Sequence, residues 1–202
     1  MSMPDETQVL NVLKPHFPIL IGSLRSAWSS WLDSEYLGRW NKRTRANFIW
    51  EETRHEAMRR LQGLPGVAVL PRSDTTLFVV DQLVLFRFKK GDAAGVSHNV
   101  KTGESQAYHD HSQELLNLPD LMRVEVVYQL NELETSILDI IIVARQGASV
   151  LWKFSLLHFD ARVIPMPMQA EDTEELSPRR KATVRSVVGK ESETSLGDAK
   201  QS

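Results

Sequence analysis

The spacing of apolar residues changes period along the chain. From Pro18, the residues Leu20, Leu24, Ala27 with Trp28, and Trp31 with Leu32 recur at three and four positions, which puts them on one stripe of a helix. Pro18 suits the first turn of that helix and Gly38 can close it. A second helix is expected over 41–62. Thr44, Phe48, Glu51 with Glu52, His55, Met58 and Leu61 with Gln62 would share one face, apolar at both ends and polar in the middle. Gly63, Pro65 and Gly66 stop it, and Arg59 and Arg60 in the last turn complement the helix dipole.

Beyond residue 66 the period becomes two. VAVLP (67–71) reads as a short strand. TLFVV (76–80), a turn at Asp81 and Gln82, and LVLFRFKK (83–90) read as a hairpin. Val84, Phe86 and Phe88 share one face of its second strand, and Leu85, Arg87 and Lys89 share the other. Residues 91–113 are polar and weakly periodic, either a long loop or a loop with a short helix near its end; a loop of that length in a compact domain is often functional or mobile. Three further strands follow, 122–130, 136–144 and 150–159, as an antiparallel meander, with Arg123, Glu125 and Val127 on one face of the first. The order predicts an α+β domain in which N-terminal helices pack on a mostly antiparallel sheet. Its expected limits are 18–160. Residues 1–17, with Pro4 and Pro15, read as an irregular lead-in. Residues 161–202, rich in Glu, Ser, Thr and Lys and without aromatics, read as a disordered tail.

Composition narrows the chemistry. The chain has no cysteine, which removes disulfides, thiolate metal sites and cysteine nucleophiles. The acidic start MSMPDETQVL is unlike a signal peptide, and no window approaches the ~20 apolar residues of a membrane span. A cytoplasmic protein with no membrane partner is the expectation. The formal charge of −2 conceals a +4 first half (1–101) and a −6 second half (102–202), and residues 39–60 alone hold seven basic and three acidic side chains.

Four patterns could carry function. In the basic helix, Arg43, Arg45 and Arg54, with Arg39 and Lys42, could contact phosphates beside Trp40 and Trp50, and Arg87, Lys89 and Lys90 could extend the patch. The alternative is a solvated helix face held by Glu–Arg pairs. Glu51 and His55, four residues apart, share a helix face and form a candidate acid–base pair. A zinc-peptidase motif is not formed, because it needs a second His at position 59, which is Arg. His109 and His111, with His98 upstream, have the spacing of an extended metal-binding pair, although loop histidines are more often solvated. No metal is assigned and no cofactor is indicated. Finally, Glu52 or Glu56, then Asp74 or Asp81, then Arg87-Phe88-Lys89 follow the order of a restriction-type nuclease, with Arg where a carboxylate ligand belongs; such a site would be altered or dead. P-loop, dinucleotide and nucleophile-elbow motifs are absent.

The layout RTRANFIWEETRHEAMRR, then LFVVDQLVLFRFKK, then a meander ending in VLWKFSL, over about residues 40–157, resembles a group of small bacterial proteins of prophages and other mobile elements. Their gene neighbours often encode a helix–turn–helix protein with a zinc-peptidase-like domain, and the pairs resemble toxin–antitoxin modules, some linked to phage defence. The resemblance implies a component of such a pair, more often the toxin, neutralised by a cognate antitoxin-like protein; if it acts on DNA or RNA, the basic residues named above would contact the phosphates. The alternatives are a non-enzymatic nucleic-acid- or protein-binding adaptor and a degenerate nuclease.

Overall fold

The computed structural model describes residues 3–163 apart from 73–74, 93, 98–101, 114, 116–117 and 119; for 160–163 only the backbone path is described. The expected tail from 164 onward, His98 and Asp74 lie outside the described residues.

The stretch expected to be irregular is helical. Helix α1 spans Glu6–Leu13, starts from Asp5, whose carboxylate accepts from the Gln8 N–H at 2.8 Å, and buries Val9 and Leu13. A 3-10 turn at Lys14–His16 leads into α2, Phe17–Leu32. Pro15 and Pro18 sit in the first turns of these elements, where a backbone N–H has no helical acceptor to lose, so they begin helices rather than break one. Helix α2 ends at Leu32, short of Gly38, and 33–40 is a series of turns in which Tyr36 stacks on Trp40 at 3.7 Å.

Helix α3 spans Lys42–Leu61 and starts from Asn41, whose side chain accepts from the Thr44 N–H at 3.0 Å. Its buried stripe is Ile49, Thr53, Ala57 and Leu61. This face is rotated from the expected one: Phe48 and Met58 are only half-buried, and Glu51 and His55 face solvent. Thr53 can lie in the core because its hydroxyl donates to the Ile49 carbonyl at 2.6 Å.

Six strands follow: β1 Val67–Pro71, β2 Thr76–Val80, β3 Val84–Lys90, β4 Met122–Leu130, β5 Ile137–Gln146 and β6 Ser149–Ser155. They lie in sequence order across one sheet. Every neighbouring pair is antiparallel except β3–β4, which is parallel. The fold is α+β with a mostly antiparallel sheet. The β2–β3 turn forms without glycine: Asp81 and Gln82 both take positive φ (52° and 55°), and the Leu83 N–H donates to the Val80 carbonyl at 3.0 Å. Val80 then faces Val84, so β3 begins one residue later than the pattern suggested. Residues 156–159, read as the end of the last strand, instead open helix α5, Leu156–Val163. The Ser155 hydroxyl accepts from the His158 N–H at 3.2 Å, which caps the new helix.

The sheet has two different faces. One carries Val80, Val84, Phe86, Phe88, Val124, Val126, Tyr128, Ile140 and Ile142, and packs against α1, α2, α3 and Leu156 of α5. The other carries Leu85, Arg87, Arg123, Glu125, Val127, Ile141, Val143 and Arg145. A parallel β3–β4 pair needs a crossover. Here the segment between the two strands supplies it, and its described parts, helix α4 at Gly103–His109 with Leu115, Leu118 and Leu121, cover this second face. The crossover lies close on the sheet at Gly91 and Gly95. A Cβ on either would collide with the Val127 or the Ile141 side chain, and Gly95 also has positive φ (83°).

The start of α3 is tied to the sheet by Glu134 in the β4–β5 turn. Its carboxylate binds Lys90 at 2.9 Å, Lys42 at 3.2 Å and Arg45. The bond from Lys90, against the upward push of burial, and then the bonds from Arg45 and Lys42 hold that carboxyl down at about 2. Glu134→Ala is expected to destabilise the fold by about 1 kcal/mol, since Lys42 is largely exposed and the pairs are partly screened. The loss, read by thermal melting, should shrink in 1 M salt. A salt-independent loss would point to packing instead.

Candidate functional site

The covered face of the sheet carries a buried ionic cluster. Glu125 comes from the middle of β4, directly opposite Arg87 in the parallel β3 register. Strand alternation puts both side chains on the crossover side. Arg87 (4% exposed) donates from Nε at 3.0 Å and from Nη2 at 2.7 Å to Oε1 of Glu125 (1% exposed). Ser97, from the crossover, donates to Oε2 at 2.6 Å. Arg145, from the end of β5, sits 3.7 Å from the same oxygen and donates from Nη1 to the Ser97 carbonyl and hydroxyl, both at 3.1 Å. One carboxylate thus holds two guanidiniums, one on each side.

Helix α4 sits over this cluster through Tyr108 and His109. The Tyr108 hydroxyl donates to the Val124 carbonyl at 2.6 Å and lies 3.3 Å from the Leu85 carbonyl. Its ring lies 3.8 Å from the Arg87 guanidinium carbon, a cation–π contact in a dry setting. Burial pushes the Tyr108 phenol far above its ordinary range. His109 Nε2 is 3.1 Å from Arg87 Nη2 and 3.4 Å from Glu125 Oε1. Arg87 can only donate, so neutral His109 meets it as an acceptor; protonated His109 turns its Nε2–H to Glu125. Arg123 ties down the rest of the crossover, donating to the carbonyls of Ala107 at 2.6 Å and Gln113 at 2.7 Å.

The electrostatics are lopsided. Burial alone would raise the Glu125 carboxyl, but the His109 contact, the charge of Arg87 and the Ser97 bond bring it down to about 2. It therefore stays ionised, yet among the described residues it is the one buried carboxylate beside Arg87, Arg123 and Arg145. Half-buried Lys89 shares the face, and its amine is lowered first by burial and then by Arg87. Among the described residues, two buried nitrogens have no partner: Arg145 Nε and His111 Nδ1. His111 donates from Nε2 to the Arg145 carbonyl at 2.9 Å, which leaves Nδ1 as the unused acceptor. Burial, then Arg123, lowers the His111 imidazole, so it is held neutral.

Two clefts flank the cluster, one on each side of α4. The larger, about 690 Å³, is lined by Ser97, His109, Arg145 and Gln146, with Ser105 and Gln106 from α4. The smaller, about 440 Å³, is lined by Arg87, Tyr108, Thr75 and the leucines 77, 115 and 118. Arg87 thus reaches one cleft and Arg145 the other, with Glu125 between them.

No protein-family model, curated protein or solved structure matches this chain. The site is therefore read from its own residues.

The candidates drawn from the sequence are scattered. Glu51 pairs with Arg54 at 2.9 Å rather than with His55, and Glu51 and His55 are both exposed on α3. That pair does not form an acid–base site. Arg43 is exposed, Arg45 is bound by Glu134, and Arg54 lies between Glu51 and the Trp50 ring. Arg87 and Lys89 do not extend the basic helix: α3 packs on one face of the sheet, and both side chains lie on the opposite face. Arg87 is buried in an ion pair with Glu125 and so does not add to an exposed basic patch. The nuclease-like carboxylates do not gather either. Glu56 is held by Arg59 at 2.8 Å and Arg60 at 2.9 Å, and Asp81 sits in the hairpin turn. Among the described residues, no three His, Asp or Glu side chains come together as a metal site.

Glu125, Ser97 and Arg145 were not singled out from the sequence. Two signals pointed to them: charged residues at alternate positions of apolar strands (Arg87 on β3; Arg123 and Glu125 on β4), and a crossover long enough to cover them.

Proposed function

We propose that this protein is a binding module that recognises a phosphate of a nucleic-acid strand in the Arg145–His109 cleft and performs no turnover, and that it acts in the cytoplasm as one component of a bacterial toxin–antitoxin or phage-defence pair. The observation that carries the first part is the charge of the buried face, where among the described residues Glu125 is the single buried carboxylate beside three buried arginines, with exposed Asp120 and half-buried Asp110 acting on Arg123, and Arg145 borders an open cleft. Buried excess charge is costly unless an opposite charge meets it, and a phosphate entering the cleft supplies one. Donors around Arg145 suit that group: the Gln106 amide, His109 and the second amide hydrogen of Gln146, whose first meets Asp110. Asp110 lies on the rim, where its carboxylate is occupied by Ser112 and Gln146. An acidic protein segment would be expected to use aromatic or large aliphatic anchors, and among its described lining the cleft offers only Val96 and Ala148 as aliphatic surface.

Absence of turnover is read from how the polar groups are used. Ser97 donates its proton to Glu125, Glu125 is saturated by arginine, and Tyr108 gives its hydroxyl proton to the Val124 carbonyl. None of them is placed as a nucleophile with a free base. Membership of a two-protein module rests on the resemblance over residues 40–157. Among the described residues no helix is long and apolar enough to cross a membrane.

Binding to a fluorescent single-stranded RNA or DNA oligonucleotide is expected at low salt and should weaken steeply as salt rises. Arg145→Met should weaken it about tenfold to a hundredfold, the contribution of a charge-assisted bond, and Arg43→Ala should change it far less. No binding at 50 mM salt would remove the nucleic-acid reading; binding lost with Arg43 and kept without Arg145 would move the site to α3. Expression without the cognate partner tests the module: growth arrest identifies the toxin half, and normal growth excludes it.

A further inference from the structure

The smaller cleft has a different character, and its occupant is separate from the phosphate assigned to the larger one. Its back wall is apolar: Leu77 and Tyr108 belong to a buried cluster with Val79, Leu85 and Leu121, and Leu115 and Leu118 pack against that cluster. Two polar groups stand at this wall with unused capacity. The Thr75 hydroxyl is buried (8% exposed) and has no hydrogen-bond partner among the described residues. Arg87 spends Nε and Nη2 on Glu125 and His109, while its Nη1 makes no hydrogen bond to the described residues. Native structures rarely leave such groups without a partner.

We propose that this cleft binds a small organic monocarboxylate with an aromatic or branched aliphatic body. The carboxylate would accept from Arg87 Nη1 and the Thr75 hydroxyl, and the body would lie against Leu77, Leu115, Leu118 and the free side of Tyr108. The volume of about 440 Å³ falls within the range of small-molecule sites, which pair mostly apolar walls with a few convergent polar groups. Charge selects a monoanion. Arg87 is already neutralised by Glu125, and of the two other charged residues among the described lining, Arg72 favours an anion while Glu104 opposes a second negative charge. A phosphate dianion fits the apolar wall and this balance poorly.

The test uses the full chain with 3-phenylpropionate, the neutral alcohol 3-phenylpropanol, and inorganic phosphate, followed by calorimetry and ligand-observed NMR. The carboxylate should bind saturably, about tenfold more tightly than the alcohol, with phosphate failing to displace it. Thr75→Val, nearly isosteric, and Arg72→Gln, on the surface, should each weaken the carboxylate at least about threefold while leaving the alcohol unchanged. Melting curves confirm that both variants are folded. Equal binding of carboxylate and alcohol, displacement by phosphate, binding indifferent to both substitutions, or no saturable binding would each overturn the proposal.

Discussion

Replacing Glu125 with Gln should lower the melting temperature by roughly 10 °C. The substitution keeps the shape and removes the charge that Arg87, Arg145 and Ser97 all address. Breaking a buried ion pair from one side costs about 3–5 kcal/mol, because the partner charge stays buried without compensation; in a chain of this size each kcal/mol moves the midpoint by about 2–4 °C. The loss should be partly recovered by adding Arg87→Met, which removes the stranded guanidinium. The acid limb carries the same signature. The Glu125 carboxyl is depressed from 4.5 to about 2 in the fold. A depressed carboxyl stabilises the native state fully above its unfolded value and loses that contribution as pH falls towards the folded one. Wild-type stability should therefore decline between about pH 4.5 and 2, and the Gln variant should decline less. Glu134 titrates in the same window and keeps part of the slope. A change within about 0.5 kcal/mol, the range of an ordinary surface substitution, would show that the cluster does not hold the face together.

Tyr108 should separate two contributions. Tyr108→Phe keeps the ring on Arg87 and strips the hydroxyl from the Val124 and Leu85 carbonyls, at a cost of about 1–2 kcal/mol. Tyr108→Ala also removes the ring, which is 3% exposed and seals the cluster from above; the total should reach about 3–5 kcal/mol, as for other buried aromatics cut to alanine. Backbone amides of α4 should then exchange faster than those of β4, because Tyr108 joins the crossover to the sheet. Equal costs for Phe and Ala would mean that the ring contributes nothing.

Much of the fold was legible because alternation and helical spacing report burial directly. Strand positions 67–71 and 76–80, and the division of β3 into Val84, Phe86 and Phe88 against Leu85, Arg87 and Lys89, follow from period two alone. Misreadings fell where one local signal serves two purposes. Pro15 reads as part of an irregular lead-in, but proline occurs at helix starts as well as in loops. Ser155 looked like one more strand residue, although its hydroxyl caps α5. On α3, Arg45 and Thr53 disguised the buried stripe, since one is neutralised by Glu134 and the other satisfied by its own helix. The site was legible only in fragments. Arg87 and His109 both stood out in the sequence, the first as a rim phosphate contact and the second as half of a loop metal pair. What joins them is the parallel pairing of β3 with β4, a contact made through 31 intervening crossover residues that no local pattern encodes. Parallel pairing brings Glu125 to Arg87, and the crossover it requires brings Ser97 and His109.

The central claim is that the working surface is the Glu125-organised cleft and not the basic helix. It is tested most directly by titrating a short single-stranded oligonucleotide into protein labelled with ¹⁵N at arginine Nε and following each Nε–H resonance. Arg145 should shift in a saturable, salt-dependent manner while Arg43 and Arg54 stay in place. Shifts confined to Arg43 and Arg54, with Arg145 unmoved, would contradict it.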